Sequence, residues 1–175
     1  MRKFFALLLG FILALSLCGC TPKTEYDDKE IARIQSAWVE GMSAFRCDYV
    51  RIFDFETGTV TDICQADIDE LPEEVLPNEY REGYNTPKTV TTFTEEQGQS
   101  FLKKTKSLGF LAWKDRYETD DIICDGGHET VTVTFTDGTV KSTYIYYKDP
   151  PNYEKIRTAF TDLLGASLYW QRQSV

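Results

Sequence analysis

The sequence has a single histidine, His128, and none of its five cysteines forms a CxxC pair. Structural zinc sites are built mostly from Cys and His ligands at short spacings, so this shortage argues against a zinc site. It also leaves His128 as the one imidazole that could act as a base near neutral pH. We therefore assign no metal-binding, cofactor-binding or catalytic residue from the sequence, while residues 120–129 leave two alternatives open, which are given below.

Basic residues are also few. The chain has 19 Lys and Arg against 28 Asp and Glu. Proteins that bind the nucleic acid backbone need clustered Lys and Arg to neutralise phosphates, so we expect no nucleic acid partner. Many acids fall in residues 67–82, a run that also contains Pro72 and Pro77. This run is either a patch for cations or a basic partner, or a loop kept soluble by its charge.

The chain begins with a short apolar run. Arg2 and Lys3 precede residues 4–17, which are almost entirely apolar, and this is the layout of a secretory signal peptide. A transmembrane helix needs about 20 apolar residues, so the run is too short to cross a bilayer comfortably. The sequence therefore predicts export.

A more specific signal follows the apolar run. Leu17-Cys18-Gly19-Cys20 resembles the lipobox of bacterial lipoprotein precursors, with Leu three residues before Cys20 and a small residue directly before it. The resemblance implies that Cys20 receives a diacylglyceryl thioether and becomes the mature N-terminus. Cys18 fits less well, because bulky Leu17 precedes it. We therefore expect a protein anchored to a cell membrane through lipid on Cys20, on the extracytoplasmic side.

These signals divide the chain into residues 1–19 as signal peptide, 20–28 as lipidated tether and 29–170 as one globular domain. Without the signal peptide, 17 basic residues face 28 acidic residues, a formal charge of −11. A chain of 175 residues with 42% hydrophobic content can bury one core but is too short for two domains of ordinary size.

Apolar spacing predicts three helices. The first begins at Lys29, with apolar residues three and four apart at Ile31, Ile34, Trp38, Met42 and Phe45. The second has a capping box of Thr94 and Gln97, ends at Gly109 and faces inward with Phe101, Leu102, Thr105 and Leu108. The third follows Asp149-Pro150-Pro151-Asn152, buries Tyr153, Ile156, Phe160 and Leu163, and ends at Gly165.

Two segments read as β-hairpins. One turns at Glu56-Thr57-Gly58, where Gly58 can adopt a positive φ. The other turns at Asp137-Gly138, and a two-residue loop would place Val133 opposite Ser142 and Val131 opposite Tyr144. Its polar face would then hold Thr130, Thr132, Thr134, Thr136, Thr139, Lys141 and Thr143. We expect an α+β fold, with an antiparallel sheet built from hairpins and about three helices on one face.

The region from about Cys47 to Gly165 resembles a family of small bacterial envelope domains of unknown function. The resemblance is carried by residues 53–61, residues 101–117 with Leu108-Gly109-Phe110, the hairpin of residues 130–147 and the helix from Tyr153. It implies a fold type and an envelope setting, and it supplies no activity.

The exported domain keeps three further cysteines, Cys47, Cys64 and Cys124. Disulfides persist outside the cytoplasm, but an odd number leaves at least one thiol unpaired. A two-residue or a three-residue loop in the first hairpin fails to place Cys47 opposite Cys64. A disulfide would then involve Cys124.

Residues 120–129 have the composition of a site, because they combine several acids with Cys124 and His128. They could form a Cys/His nucleophilic site, a calcium site or a solvated connection through Asp125-Gly126-Gly127. Five tyrosines are difficult to bury, and they either form a binding surface or pack against the sheet and helices with their hydroxyls at the rim: Tyr80, Tyr84, Tyr117, Tyr147 and Tyr169.

Three functions follow from these patterns. The first is a non-enzymatic envelope domain that binds a protein, a peptide or a cell-wall component by its exposed sheet face or acidic loop. The second is a lipoprotein hydrolase that uses carboxylates or a site centred on Cys124. The third is a structural role through unpaired sheet edges.

Overall fold

The fold is described from a computed structural model for residues 23–39, 47–66, 85–121, 123 and 126–164. The strands are β1 (Ile31–Val39), β2 (Cys47–Asp54), β3 (Thr59–Ala66), β4 (Lys88–Thr92), β5 (Arg116–Glu118), β6 (His128–Phe135) and β7 (Val140–Tyr146). The helices are α1 (Glu95–Ser107) and α2 (Tyr153–Leu164), with a short 3-10 helix (Phe110–Ala112) after α1. The predicted α+β class is confirmed.

The strands form one sheet in the order β4-β3-β2-β1-β6-β7-β5. Neighbours are antiparallel except β5, which runs parallel to β7. The prediction of a sheet built from hairpins alone is therefore wrong in part. Strand β1 lies between the β2–β3 and β6–β7 hairpins and supplies backbone hydrogen bonds to the inner edge of each.

The first predicted helix is wrong over its described part, because residues 31–39 form β1. The pairing register shifts between Ile31 and Arg33, which indicates a β-bulge. An extra residue in a bulge lets Ile31 and Ile34, three positions apart, face the same side of the sheet. Both side chains are buried. Met42 and Phe45, which completed the predicted helical pattern, lie outside the described residues.

Both described helices pack on the same face of the sheet, called here the helix-covered face. The ring of Phe53 on β2 stacks on Phe101 of α1, with centroids 6.4 Å apart, and lies 4.9 Å from Phe160 of α2. Phe101 and Phe160 meet edge to face at 4.8 Å. The core therefore lies between this face and the two helices. Neither helix is long and apolar enough to span a bilayer.

The second and third predicted helices are confirmed as α1 and α2. The Thr94 hydroxyl accepts a hydrogen bond from the backbone N–H of Gln97, whose side chain accepts from the N–H of Thr94. This capping box defines the start of α1. The left-handed Gly109 follows its end, at φ 80°. Helix α2 buries the four residues predicted: Tyr153, Ile156, Phe160 and Leu163.

The predicted register of the β6–β7 hairpin is wrong by one residue. The loop has three residues, 136–138, with Gly138 at φ 80°, so Val133 lies opposite Lys141. A shift of one residue turns every side chain of a strand to the other face. Lys141 is consequently buried and Val140 is exposed, which is the reverse of the prediction.

The β2–β3 hairpin turns where predicted, but its loop has four residues between Asp54 and Thr59. Gly58 has φ 65°, and a Cβ there would lie 2.6 Å from the carbonyl oxygen of Phe93. The same region is tied to the start of α1, because the N–H of Phe93 donates to the Gly58 carbonyl at 2.8 Å. Glycine is therefore required by both backbone conformation and space.

Candidate functional site

Cys20, the predicted lipidation site, lies outside the described residues, but the segment after it is described from Lys23 onward. The backbone N–H and the hydroxyl of Thr24 donate to the Asp27 carboxylate at 2.7 and 3.0 Å, which closes a turn. The ring of Tyr26 stacks on Phe135 with centroids 5.4 Å apart. Much of the segment predicted to be a tether is therefore packed against the domain.

Lys29, the residue that follows this segment, is hydrogen-bonded to the β6–β7 turn and to α1. The Lys29 ammonium donates to the Asp137 carboxylate at 2.7 Å and to the Thr139 hydroxyl at 2.6 Å. The Lys106 ammonium of α1 donates to the Lys29 carbonyl at 3.1 Å. Tyr26 and Lys29, with their partners Phe135 and Asp137, are called here the N-terminal clasp.

Acid should weaken the N-terminal clasp. The hydrogen bond from Lys29, followed by those from the backbone N–H and hydroxyl of Thr139, lowers the pKa of Asp137 to about 2. An unfolded Asp titrates near pKa ~3.9. The ionised form is thus favoured by folding, and this stabilisation is complete well above pH ~4 and is lost as the pH falls toward about 2.

We therefore predict that Asp137→Asn flattens the dependence of unfolding free energy on pH between about pH 4 and pH 2. The measurement is urea unfolding at a series of pH values. Asp120→Asn is the matched control, since Asp120 is an exposed aspartate outside the clasp. If the unfolding free energies of wild type and Asp137→Asn fall equally between pH ~4 and pH ~2, the lowered pKa of Asp137 would be contradicted.

The face of the sheet opposite the helices carries aromatic and basic side chains on β5, β6 and β7. Glu129 and Ile145 pair on the helix-covered face, so residues one position away on these strands lie on the opposite face. Arg116 pairs with Tyr144 and shares that face. Tyr147 follows β7 and is 52% exposed. The set is called here the aromatic row: Arg116, His128, Tyr144, Tyr146 and Tyr147.

The side chains of the aromatic row contact one another. The ring centroids of His128 and Tyr144 are 4.9 Å apart, those of Tyr144 and Tyr146 are 6.5 Å apart, and Tyr147 meets Tyr146 edge-on at 5.1 Å. The Arg116 guanidinium lies 4.6 Å from the Tyr144 centroid, within cation–π range. Rings that are ordered before binding lose less conformational entropy when a partner arrives.

The aromatic row occupies one side of its face. Val50 of β2 lies on the same face, in line with Ala37 and Thr130, and it is buried. Tyr144 is half-buried by comparison, and Tyr147 is exposed. On this face Val50 is therefore covered, whereas Arg33 on β1, Arg116 on β5 and Ser142 on β7 are exposed.

The described side chains of residues 120–129 do not come together in one site. Asp120 and Asp121 are exposed. His128 and Glu129 are neighbours on β6, so their side chains leave the sheet on opposite faces. His128 belongs to the aromatic row, and Glu129 is 2% exposed within the core. Cys124 and Asp125 lie outside the described residues. The geometry therefore gives no support to a hydrolytic site built from His128 and Glu129.

Glu129 takes part in a buried polar network instead. Its carboxylate accepts hydrogen bonds from the Ser36 hydroxyl at 2.8 Å and the Tyr153 hydroxyl at 2.5 Å. These residues line a cavity of about 10 Å³ together with Trp113 and Arg157. That volume is close to the minimum for a single water molecule. The network links β1 and β6 to α2, and the cavity has no room for a substrate.

Cys64 is disulfide-bonded. Both registers considered from the sequence are wrong, because the four-residue loop places Cys64 opposite Tyr49 and Cys47 opposite Ala66. Cys47 is therefore not directly opposite Cys64, as expected. Cys124, the predicted partner, lies outside the described residues, so its pairing stays a prediction.

The exposure predicted for the five tyrosines is confirmed for Tyr147 and wrong for Tyr117. Tyr147 is exposed, as predicted, but Tyr117 packs against the core, and its hydroxyl accepts from the N–H of Lys114 at 3.0 Å. Tyr80, Tyr84 and Tyr169 lie outside the described residues. The predicted register placed Tyr144 on the apolar face, and Tyr146 was not identified. A three-residue loop with Gly138 in third position would have placed both correctly.

Comparison with known proteins adds no assignment. No family model matches the chain, and no curated protein matches it. Within the described ranges, no group of three or more His, Cys, Asp or Glu is placed to hold a metal ion.

Proposed function

We propose that this protein is a lipid-anchored, non-enzymatic domain of the bacterial cell envelope that binds a protein, a peptide or a cell-wall component through the aromatic row. Lipid on Cys20 holds it to the extracytoplasmic side of a cell membrane. The lipobox supports the anchor, and the envelope-domain resemblance supports the setting. The observation that carries the binding role is the preassembled row on the sheet face opposite the helices.

The chemistry of the row suits macromolecular recognition. Tyrosine combines a large apolar ring with a polar hydroxyl, and Tyr and Arg are enriched among residues that dominate binding energies. The same rings can contact the apolar parts of a peptide or the faces of a sugar. The acidic run at residues 67–82, the other binding surface suggested by the sequence, lies outside the described residues.

The backbone at Tyr147 gives independent support. Its φ is 53°, a left-handed conformation that is uncommon for a bulky residue. Such a conformation costs roughly 1–2 kcal/mol and persists where the surroundings impose it, often at a binding site. Here the strained residue is also the most exposed ring of the row.

The test uses a photo-crosslinking amino acid in place of Tyr147 in the anchored protein, in its native envelope. Tyr49 is the matched control, because it is 55% exposed but lies on the other face of the sheet. We expect a reproducible partner from position 147 and none from position 49. Tyr144→Ala should then lower the capture roughly tenfold, the effect of losing about 1.4 kcal/mol of binding energy.

Equal capture from both positions, or capture that is insensitive to Tyr144→Ala, would reject the aromatic row as the binding surface. If no protein is captured, the domain without its lipid is screened by thermal unfolding against cell-wall glycan fragments and peptides. A stabilising ligand whose effect disappears in Tyr144→Ala would support the row. Stabilisation that is unchanged in this variant would reject it.

A further inference from the structure

The two ends of the sheet differ in their distance from the predicted anchor. The N–H of Phe55 donates to the Ala32 carbonyl at 2.9 Å, and the N–H of Thr136 donates to the Glu30 carbonyl at 3.0 Å. The β2–β3 and β6–β7 turns therefore flank the point where the N-terminal segment enters β1. This end of the sheet is called here the proximal end.

The N-terminal clasp shortens the connection between lipid and domain. With residues 24–30 packed on the domain, only residues 21–23 separate Cys20 from Thr24. An extended chain spans at most about 3.6 Å per residue, so Thr24 lies within about 14 Å of Cys20. Without the clasp the free chain would reach from Cys20 to Ile31, a span of up to about 40 Å.

We infer that the N-terminal clasp orients the domain on its membrane, with the proximal end facing the lipid headgroups and the opposite end facing away. This inference rests on the proposed lipid anchor at Cys20. Strand β6 runs from His128 to Phe135, a length of about 23 Å at ~3.3 Å per residue. His128 and Tyr146 are therefore held at the far end, where the aromatic row can meet a partner beyond the headgroup layer.

Charge attraction does not account for this orientation. The proximal end carries the exposed acids Glu25, Asp28, Glu30 and Glu56, and its exposed cations Lys23 and Arg33 are ion-paired with Asp28 and Asp54. Anionic headgroups attract basic segments and would repel these side chains. The short connection is therefore what holds the proximal end at the membrane, and the orientation should be insensitive to salt.

The experiment measures lipid adducts from a photo-crosslinking amino acid in the full-length, membrane-bound protein. Glu56 and Thr136 report on the proximal end, and Asp121 and Lys148 report on the far end; all four side chains are exposed. We expect lipid adducts from the two proximal positions and few from the other two, at low and high salt. Equal adducts from both ends, or more from the far end, would overturn the inference.

Clasp variants sharpen the test. Tyr26→Ala combined with Lys29→Ala should lower proximal lipid adducts about fivefold, since effective concentration falls roughly as the −3/2 power of connection length. A Gly-Ser insertion of about seven residues after Pro22 lengthens the connection with the clasp intact, and should have the same effect. Glu30→Ala, an exposed position in the same segment, is the control that should retain wild-type adducts. Unchanged proximal adducts in the insertion variant would overturn the inference.

The two proposals fail differently. Wild-type protein that is absent from the membrane fraction would reject the lipid anchor and the orientation together. Wild-type protein that is in the membrane fraction but shows no difference between the two ends would reject the orientation alone.

Discussion

Replacing Cys20 with Ala should move this protein from the membrane fraction to the soluble fraction. The proposed thioether lipid would contribute about 0.8 kcal/mol for each methylene buried in the bilayer, and two acyl chains together would give stable attachment. The measurement is fractionation of cells that express the tagged full chain.

Cys18→Ala is the matched control for this experiment. Cys18 lies two residues before Cys20 but follows bulky Leu17, so its variant should remain membrane-bound. Continued tight membrane association of Cys20→Ala would overturn the lipobox assignment. Release of both variants to the same extent would do so as well.

Phe53→Ala should destabilise the domain by about 3–5 kcal/mol. Phe53 is fully buried at the centre of the helix-covered face, where its ring contacts Phe101 and Phe160. Truncation removes contacts to both helices and leaves a cavity that close-packed neighbours cannot fill. Since domains of this kind are stable by only about 5–15 kcal/mol, a large part of the stability would be lost.

Thermal and urea unfolding of the soluble domain measure this effect, with an expected fall of roughly 10 °C in melting temperature. Val140→Ala is the matched control, because Val140 lies in a strand of the same sheet but is 53% exposed. Its effect should stay within about 0.5 kcal/mol. Similar losses for Phe53→Ala and Val140→Ala would show that the core lies elsewhere.

Local signals in the sequence predicted a substantial part of the fold. The capping box of Thr94 and Gln97 and the left-handed Gly109 involve residues close in sequence, and they mark both ends of α1. The inward residues of α2 follow from helical spacing in the same way. Such features can be read from one chain because their partners are neighbours along it.

The first strand could not be read in this way. Ile31 and Ile34 have helical spacing, and the bulge that turns both to one face is visible only when β1 is paired with β6. Its two partners, β2 and β6, are far apart in sequence, and β6 begins about ninety residues after β1 ends. Tertiary pairing therefore overrode the local pattern.

The candidate binding surface is also determined by the pairing of strands that are distant in sequence. Tyr144 belongs to the aromatic row because the three-residue loop ending at Gly138 sets the register of β7, and Arg116 joins it through parallel pairing of β5. A one-residue difference in register exchanges the two faces of a strand. Sequence spacing alone therefore could not assemble this row.

The sequence by itself determined the expectation of a lipid anchor at Cys20, the two helices and the positions of the two hairpin turns, because these depend on short, contiguous motifs. Tertiary structure alone decided that residues 31–39 are a strand, that the N-terminal segment packs against the β6–β7 turn, and that Arg116, His128, Tyr144 and Tyr146 share one face. Those features arise from contacts between distant residues, whose register no local pattern specifies.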